Sequence, residues 1–231
     1  MFKKLLAAVG LKTDTSAPAP AASSGLHHPY GRADLDFMYN LLFCDDLDLF
    51  RNPKTETPAA VWKTLLAEPP DKAALLDVAA QESQEGRLRA LAYNRLRWEG
   101  EAIPVKTLLG IIVEVPLEQG LDVLAAFSDG GVRYLNQSGK IAVFEGDGTP
   151  VAAPAQVLLE TAWPIIDRIG PWTEQRLPPP VIGNVRITFL VSDGLYFGEG
   201  PFAALQKDDM AGPLLAQAFE LLQAAVRIEA A

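Results

Sequence analysis

Residues 108–144 read LLGIIVEVPLEQGLDVLAAFSDGGVRYLNQSGKIAVF. From Leu108 to Val115 the run is nearly all apolar and rich in Ile and Val, so it reads as a buried strand. Leu121, Val123, Ala125 and Phe127 then alternate with Asp122, Leu124, Ala126 and Ser128, the two-residue period of a second strand. Asp129-Gly130-Gly131 carries the residues that tight hairpins require. Val132–Leu135 and Ile141–Phe144 make the next pair, across Asn136-Gln137-Ser138-Gly139. Turns this short join neighbours, so the stretch predicts a four-strand meander.

Downstream, Glu145 to Pro150 ends the meander. The spacing of Leu158, Ala162, Ile165 and Ile169 predicts a helix over 154–169, stopped by Gly170-Pro171. Pro164 is expected to kink it, because the ring removes one backbone donor. Residues 171–183, PWTEQRLPPPVIG, suit neither a central strand nor a helix. Their proline run, Pro178 to Pro180, is pre-set for polyproline II, a form that aromatic grooves recognise, and also serves as a plain connection. Val185, Ile187, Phe189 and Val191 alternate with Arg186, Thr188 and Leu190. Ser192-Asp193-Gly194 then turns the chain into Leu195–Phe197, a second hairpin. A closing helix over about 211–228 is apolar on a wide arc, through Leu214, Leu215, Ala218, Phe219, Leu222 and Val226, and is expected to lie across the sheet.

Upstream, residues 34–105 read as helical. Asp34 is placed to cap a helix carrying Phe37, Leu41 and either Leu42 or Cys44. Thr57-Pro58 opens another helix with Val61, Trp62, Leu65 and Leu66, and Pro69-Pro70-Asp71 stops it and starts a third. The fold class expected is therefore α+β: an N-terminal helical region (34–105) packed with a mainly antiparallel sheet, meander plus hairpin, flanked by two later helices (106–231). The two parts form one body over 34–231.

Two segments precede that body. In residues 1–12, MFKKLLAAVGLK, Phe2, Leu5, Leu6 and Val9 recur at i, i+3, i+4 and i+7 and share one helical face, with Lys3, Lys4 and Lys12 outside it. A helix this short needs a surface to order against, either a bilayer or a protein groove, so the segment is read as an interaction tether. Residues 13–33 are dominated by Ala, Pro, Ser and Gly and read as a flexible linker. A secretory signal is the rival reading of the lysine-led start. Its apolar stretch sits at the short end of what such signals need. The expected location is cytoplasmic, peripheral to a membrane if the tether meets one, with export as the alternative.

Charge restricts the partners. The chain has 20 Lys and Arg against 29 Asp and Glu, a formal net charge of −9. Phosphate backbones are bound by clustered cations, so no nucleic-acid partner is expected. Cys44 is alone, which rules out an intrachain disulfide and a cysteine metal cluster. No apolar run approaches the ~18 residues of a membrane span. No G-x-S-x-G, G-x-x-x-x-G-K-[ST], H-E-x-x-H or C-x-x-C pattern occurs, and the two histidines, His27 and His28, sit in the linker. No cofactor is expected.

Several side chains still invite chemistry. Ser192 to Gly200 joins three glycines, Tyr196 and Phe197 with two acids, and Asp193 or Glu199 is the candidate general base there. The plain alternative is a hairpin whose aromatics pack. Arg133, Tyr134 and Tyr196 are the candidate ligand contacts, or else Arg133 and Tyr134 belong to the meander's solvent side. Asp45, Asp46 and Asp48 are candidate ligands for a hard cation, or simply cap a turn. Arg87, Arg89, Arg95 and Arg97 grip an anion or pair with Glu82, Glu85, Glu99 and Glu101. Two functions follow as expectations. One is a non-catalytic protein-interaction or adaptor protein, tethered by residues 1–12, with a protein partner of unknown identity. The other is a small-ligand-binding protein or carboxylate-dependent enzyme with its site near 192–200. Oligomeric state is open.

Overall fold

The computed structural model describes residues 25–51, 60–118 and 120–229. The expected tether, residues 1–12, and most of the expected linker lie outside them. The α+β class is as expected from the sequence. Four helices come first: α1 (Ala33–Leu41), α2 (Ala60–Leu65), α3 (Lys72–Ala80) and α4 (Gly86–Trp98), with a 3₁₀ turn at Leu47–Phe50. Strands β1 (Leu108–Leu117), β2 (Gly120–Phe127), β3 (Val132–Leu135) and β4 (Ile141–Phe144) follow, then α5 (Ala152–Ile166), β5 (Asn184–Val191), β6 (Gly194–Pro201), the short α6 (Phe202–Leu205) and α7 (Ala211–Glu229).

The meander and the hairpin are one sheet. Its order is β4-β3-β2-β1-β5-β6 and every neighbouring pair is antiparallel. β1 lies at the centre because it pairs with both β2 and β5. That position explains its continuous apolar run: helices cover both faces. One face carries Ile111, Val113, Leu124, Ala126, Ile187 and Phe189 against α5 and α7. The other carries Leu109, Ile112, Val123, Ala125 and Phe127 against Tyr39, Leu75, Leu91 and Leu96 of the first helices and Phe43 of the turn after α1. Burial on two faces also accounts for Arg186, Thr188 and Leu190, the polar-leaning phase of β5, all being buried.

Gly86 shows how tightly the helical layer sits. A β-carbon there would stand 2.8 Å from the Leu109 carbonyl oxygen and 2.9 Å from the Ser128 hydroxyl. The first turn of α4 thus presses on the sheet, and the Gly86 amide donates to Asp129 at 3.0 Å. Pro164 falls in the last turn of α5, which ends two residues later. The described end of the expected linker is fastened to the body. The His27 amide donates to Asn40, the His27 ring meets the Arg176 carbonyl oxygen at 3.0 Å, and the Tyr30 hydroxyl donates to the Leu121 carbonyl at 2.9 Å.

Candidate functional site

The register of β1, β5 and β6 sets Glu114 beside Arg186 and Arg186 beside Glu199, in one row across three strands. The row faces the helical layer. There Tyr39 of α1 donates its hydroxyl to Glu114 at 2.7 Å. Arg186 donates to Glu199 through Nε and Nη2, at 3.0 and 2.6 Å, and through Nη1 to the Leu177 carbonyl. The connection before β5 brings in Arg176, which reaches Asp45 at 2.9 Å and Asn40 at 2.8 Å while lying 3.9 Å from the centre of the Phe43 ring. Burial pushes the Glu114 carboxyl above its usual range, against the pull of Arg186 and of the Tyr39 hydrogen bond. Burial likewise lowers the His27 imidazole beside Arg176. This polar seam is tightly filled. The space beside Arg176 and Arg186 amounts to about 10 Å³, room for about one water molecule. Its chemistry is charge balance between two layers.

The residues singled out in the sequence are dispersed among such pairings. Glu199 belongs to the seam. Asp193 accepts the Tyr196 hydroxyl at 2.8 Å, and the Tyr196 ring is fully buried. Arg133 is buried rather than solvent-facing, between the Phe144 carbonyl (2.8 Å) and Glu145 (2.9 Å). Asp45 is held by Arg176, Asp46 caps the 3₁₀ turn by accepting from the Asp48 amide, and Asp48 pairs with Arg51. No group of three potential metal ligands forms among the described residues. The arginine cluster divides. Arg87 pairs with Glu85, Arg95 with Glu68 and Glu99, Arg89 donates to the Ala79 carbonyl, and Arg97 donates to that of Ser192. Burial draws Arg97 down to about 10.

Of the three expected ligand contacts, Tyr134 opens onto a cavity among the described residues, on the opposite face of the sheet. Alternation sends Arg133 to one face and Tyr134 to the other. The cavity is a groove of about 650 Å³ between α7 and the sheet, within the range of ligand pockets. Its floor is Val113, Val115 and Leu117 of β1 with Leu124 of β2. Its wall is Leu215, Phe219 and Leu222 of α7, and Phe202 and Gln206 close one end. The α7 sequence builds that wall through two adjacent stripes. Leu214, Ala218, Leu221 and Ala225 fall within one narrow helical arc and are buried. Leu215, Phe219, Leu222 and Val226 lie about a quarter-turn round the helix, where Phe219 is 57% and Val226 47% exposed. The wide apolar arc read in the sequence was the available signal.

The groove's polar corner is Asp122, which accepts the Tyr134 hydroxyl at 2.9 Å and the Gln137 amide at 2.7 Å. Asn136 donates to the same hydroxyl at 3.1 Å. No helix among the described residues is long and apolar enough to cross a membrane. In comparisons with known proteins, the sequence matches no family model and no curated relative.

Proposed function

We propose that this chain is a non-catalytic interaction protein that works in the cytoplasm and receives the apolar face of an amphipathic helix in the groove between α7 and the sheet. The observation carrying this reading is the second stripe of α7, where Phe219, 57% exposed, and Leu222 face a lined, open channel beside the buried Leu215. Helix-in-groove binding uses anchors at i, i+3, i+4 and i+7, and the wall from Leu215 to Leu222 offers about 10 Å to them. The candidate acids Asp45, Asp48, Asp193 and Glu199 are each engaged by a neighbouring side chain, which suits a scaffold for binding.

The test is fluorescence anisotropy with a labelled synthetic peptide that places Leu at those four spacings and Lys between them. Saturable one-to-one binding that Phe219→Asp abolishes supports the reading, and a flat titration sinks it. A second reading has its own observation: the Asp122–Tyr134 corner gives an apolar cavity one polar end, as a single-chain amphiphile requires. Retention of dodecylamine in native mass spectrometry, reduced by Asp122→Asn and without peptide binding, would select that reading.

A further inference from the structure

We propose that the groove is occupied in cis by residues 1–12 of the same chain, with Phe2, Leu5, Leu6 and Val9 set against Leu215, Phe219 and Leu222, so that an outside partner must displace them. This rests on the reading of the groove as a helix-binding surface.

Complementary pattern is the first support. Phe2 to Val9 would span about 10 Å as a helix, the length of the wall from Leu215 to Leu222. An isolated twelve-residue helix does not persist in water, so this sequence needs an apolar surface. The groove supplies one within its own molecule. Charge is the second. Residues 1–12 carry three lysines and no acid, leaving 17 basic and 29 acidic residues in the remainder. Asp122, at the corner, is the one acid among the residues lining the groove, and no lysine or arginine is among them. A second copy docking here would bring two acidic bodies together, whereas the lysine-bearing segment brings opposite charge.

Reach is the third. The Tyr30 hydroxyl is bound to the carbonyl of Leu121, the chain neighbour of Asp122, so the described chain starts at this end of the sheet on the helical-layer face, and the link must round the end of the sheet to reach the groove. A β-carbon on Gly139, in the β3–β4 turn, would meet the Arg32 guanidinium at 2.7 Å, which holds the chain at the same end. Twelve residues, 13–24, separate Lys12 from Gly25 and span up to about 40 Å. A link of that length gives an effective concentration on the order of millimolar, enough to populate a contact too weak to hold between separate molecules.

Disulfide trapping in the full chain tests this. Leu6→Cys with Phe219→Cys is oxidised by diamide alongside a control, Leu6→Cys with Ile182→Cys. Ile182 is exposed on the connection before β5, and the buried Cys44 is kept in both. The expected result is an intramolecular crosslink forming at least 10-fold faster in the first pair. Equal rates overturn the proposal. So does a crosslinked dimer, which makes a second copy the occupant. In parallel, Leu5→Asp/Leu6→Asp in the full chain should bind the labelled peptide at least 10-fold more tightly than the parent. Equal peptide affinity in parent and variant, lost in Phe219→Asp, overturns occupation in cis while the groove reading stands. Peptide binding to none of the proteins removes the groove reading and this proposal with it. Sedimentation with vesicles of 30% phosphatidylserine, unaffected by Phe219→Asp, would assign the stripe to a bilayer and overturn the proposal as well.

Discussion

Tyr39 of the helical layer donates its hydroxyl to Glu114, on the central strand, at 2.7 Å. Both residues are fully buried, and the second Glu114 oxygen has no hydrogen-bond partner. Its closest cation is Arg186, at 3.9 Å. The hydroxyl is therefore the short contact that compensates a carboxyl inside the fold. Tyr39→Phe should lower the stability of the chain by about 1–3 kcal/mol, the cost of an orphaned buried acceptor. Urea denaturation measures it.

The same carboxyl sets a pH dependence. Burial raises the folded-state pKa of Glu114 above its unfolded value. The folded protein then holds a proton that the unfolded chain has released, so this group's contribution is intact below the ordinary carboxylate range and is lost as pH rises through the folded value. Glu114→Gln should flatten the fall in stability that the parent shows above the ordinary carboxylate range. Melting temperatures of parent and variant across that fall give the slope, and parallel curves would refute the assignment.

Arg176 and Asp45 pose a sharper case, because both side chains are under a tenth exposed. Removing one partner leaves the other's charge buried and uncompensated. Arg176→Met should cost about 3–5 kcal/mol, and the double variant with Asp45→Asn should regain most of it. Recovery in the double variant is what distinguishes charge imbalance from lost packing over Phe43.

These two pairs show where the sequence was readable. The meander was legible because Leu121 to Phe127 keeps the strand period and Asp129-Gly130-Gly131 has one sensible use. The hairpin at Asp193-Gly194 was legible for the same reason. Burial of Arg186 and Arg133 was not. In local pattern each is the polar member of an alternation. What buries Arg186 is a cross-strand alignment with Glu199 and Glu114, set by β1 pairing with β5 over 70 or more residues of chain. The groove was half legible. The wide arc of α7 announced more apolar surface than one contact face uses, but which stripe meets the sheet depends on where α5 and β1 lie.

Gly86 allows a prediction of sign. By helix propensity alone, Gly to Ala in a helix gains about 0.5–1 kcal/mol. At this position the added carbon would lie 2.8 Å from a backbone oxygen of β1 and 3.0 Å from the Ser128 backbone nitrogen. Neither can swing aside as a side chain does. Gly86→Ala should therefore destabilise the protein by about 1–3 kcal/mol, the usual cost of overpacking. A raised urea midpoint would show that α4 does not press on the sheet.

Leu214 and Phe219 separate the two stripes of α7 by experiment. Leu214 is fully buried in the core shared with α5 and the sheet, whereas Phe219 is 57% exposed at the groove wall. Leu214→Ala removes packed methyl groups and leaves a void, so about 2–5 kcal/mol of stability should go. Phe219→Ala takes away surface that solvent already reaches, and substitutions of that kind stay within about 0.5 kcal/mol. If the groove is a binding surface, the order reverses for the amphipathic peptide. Leu214→Ala, studied where it remains folded, should keep most of the affinity, and Phe219→Ala should lose at least 10-fold. Denaturation midpoints and anisotropy titrations on the same two proteins read both quantities. A Phe219→Ala protein that is stable and binds as the parent does would leave the outer stripe without a role in recognition.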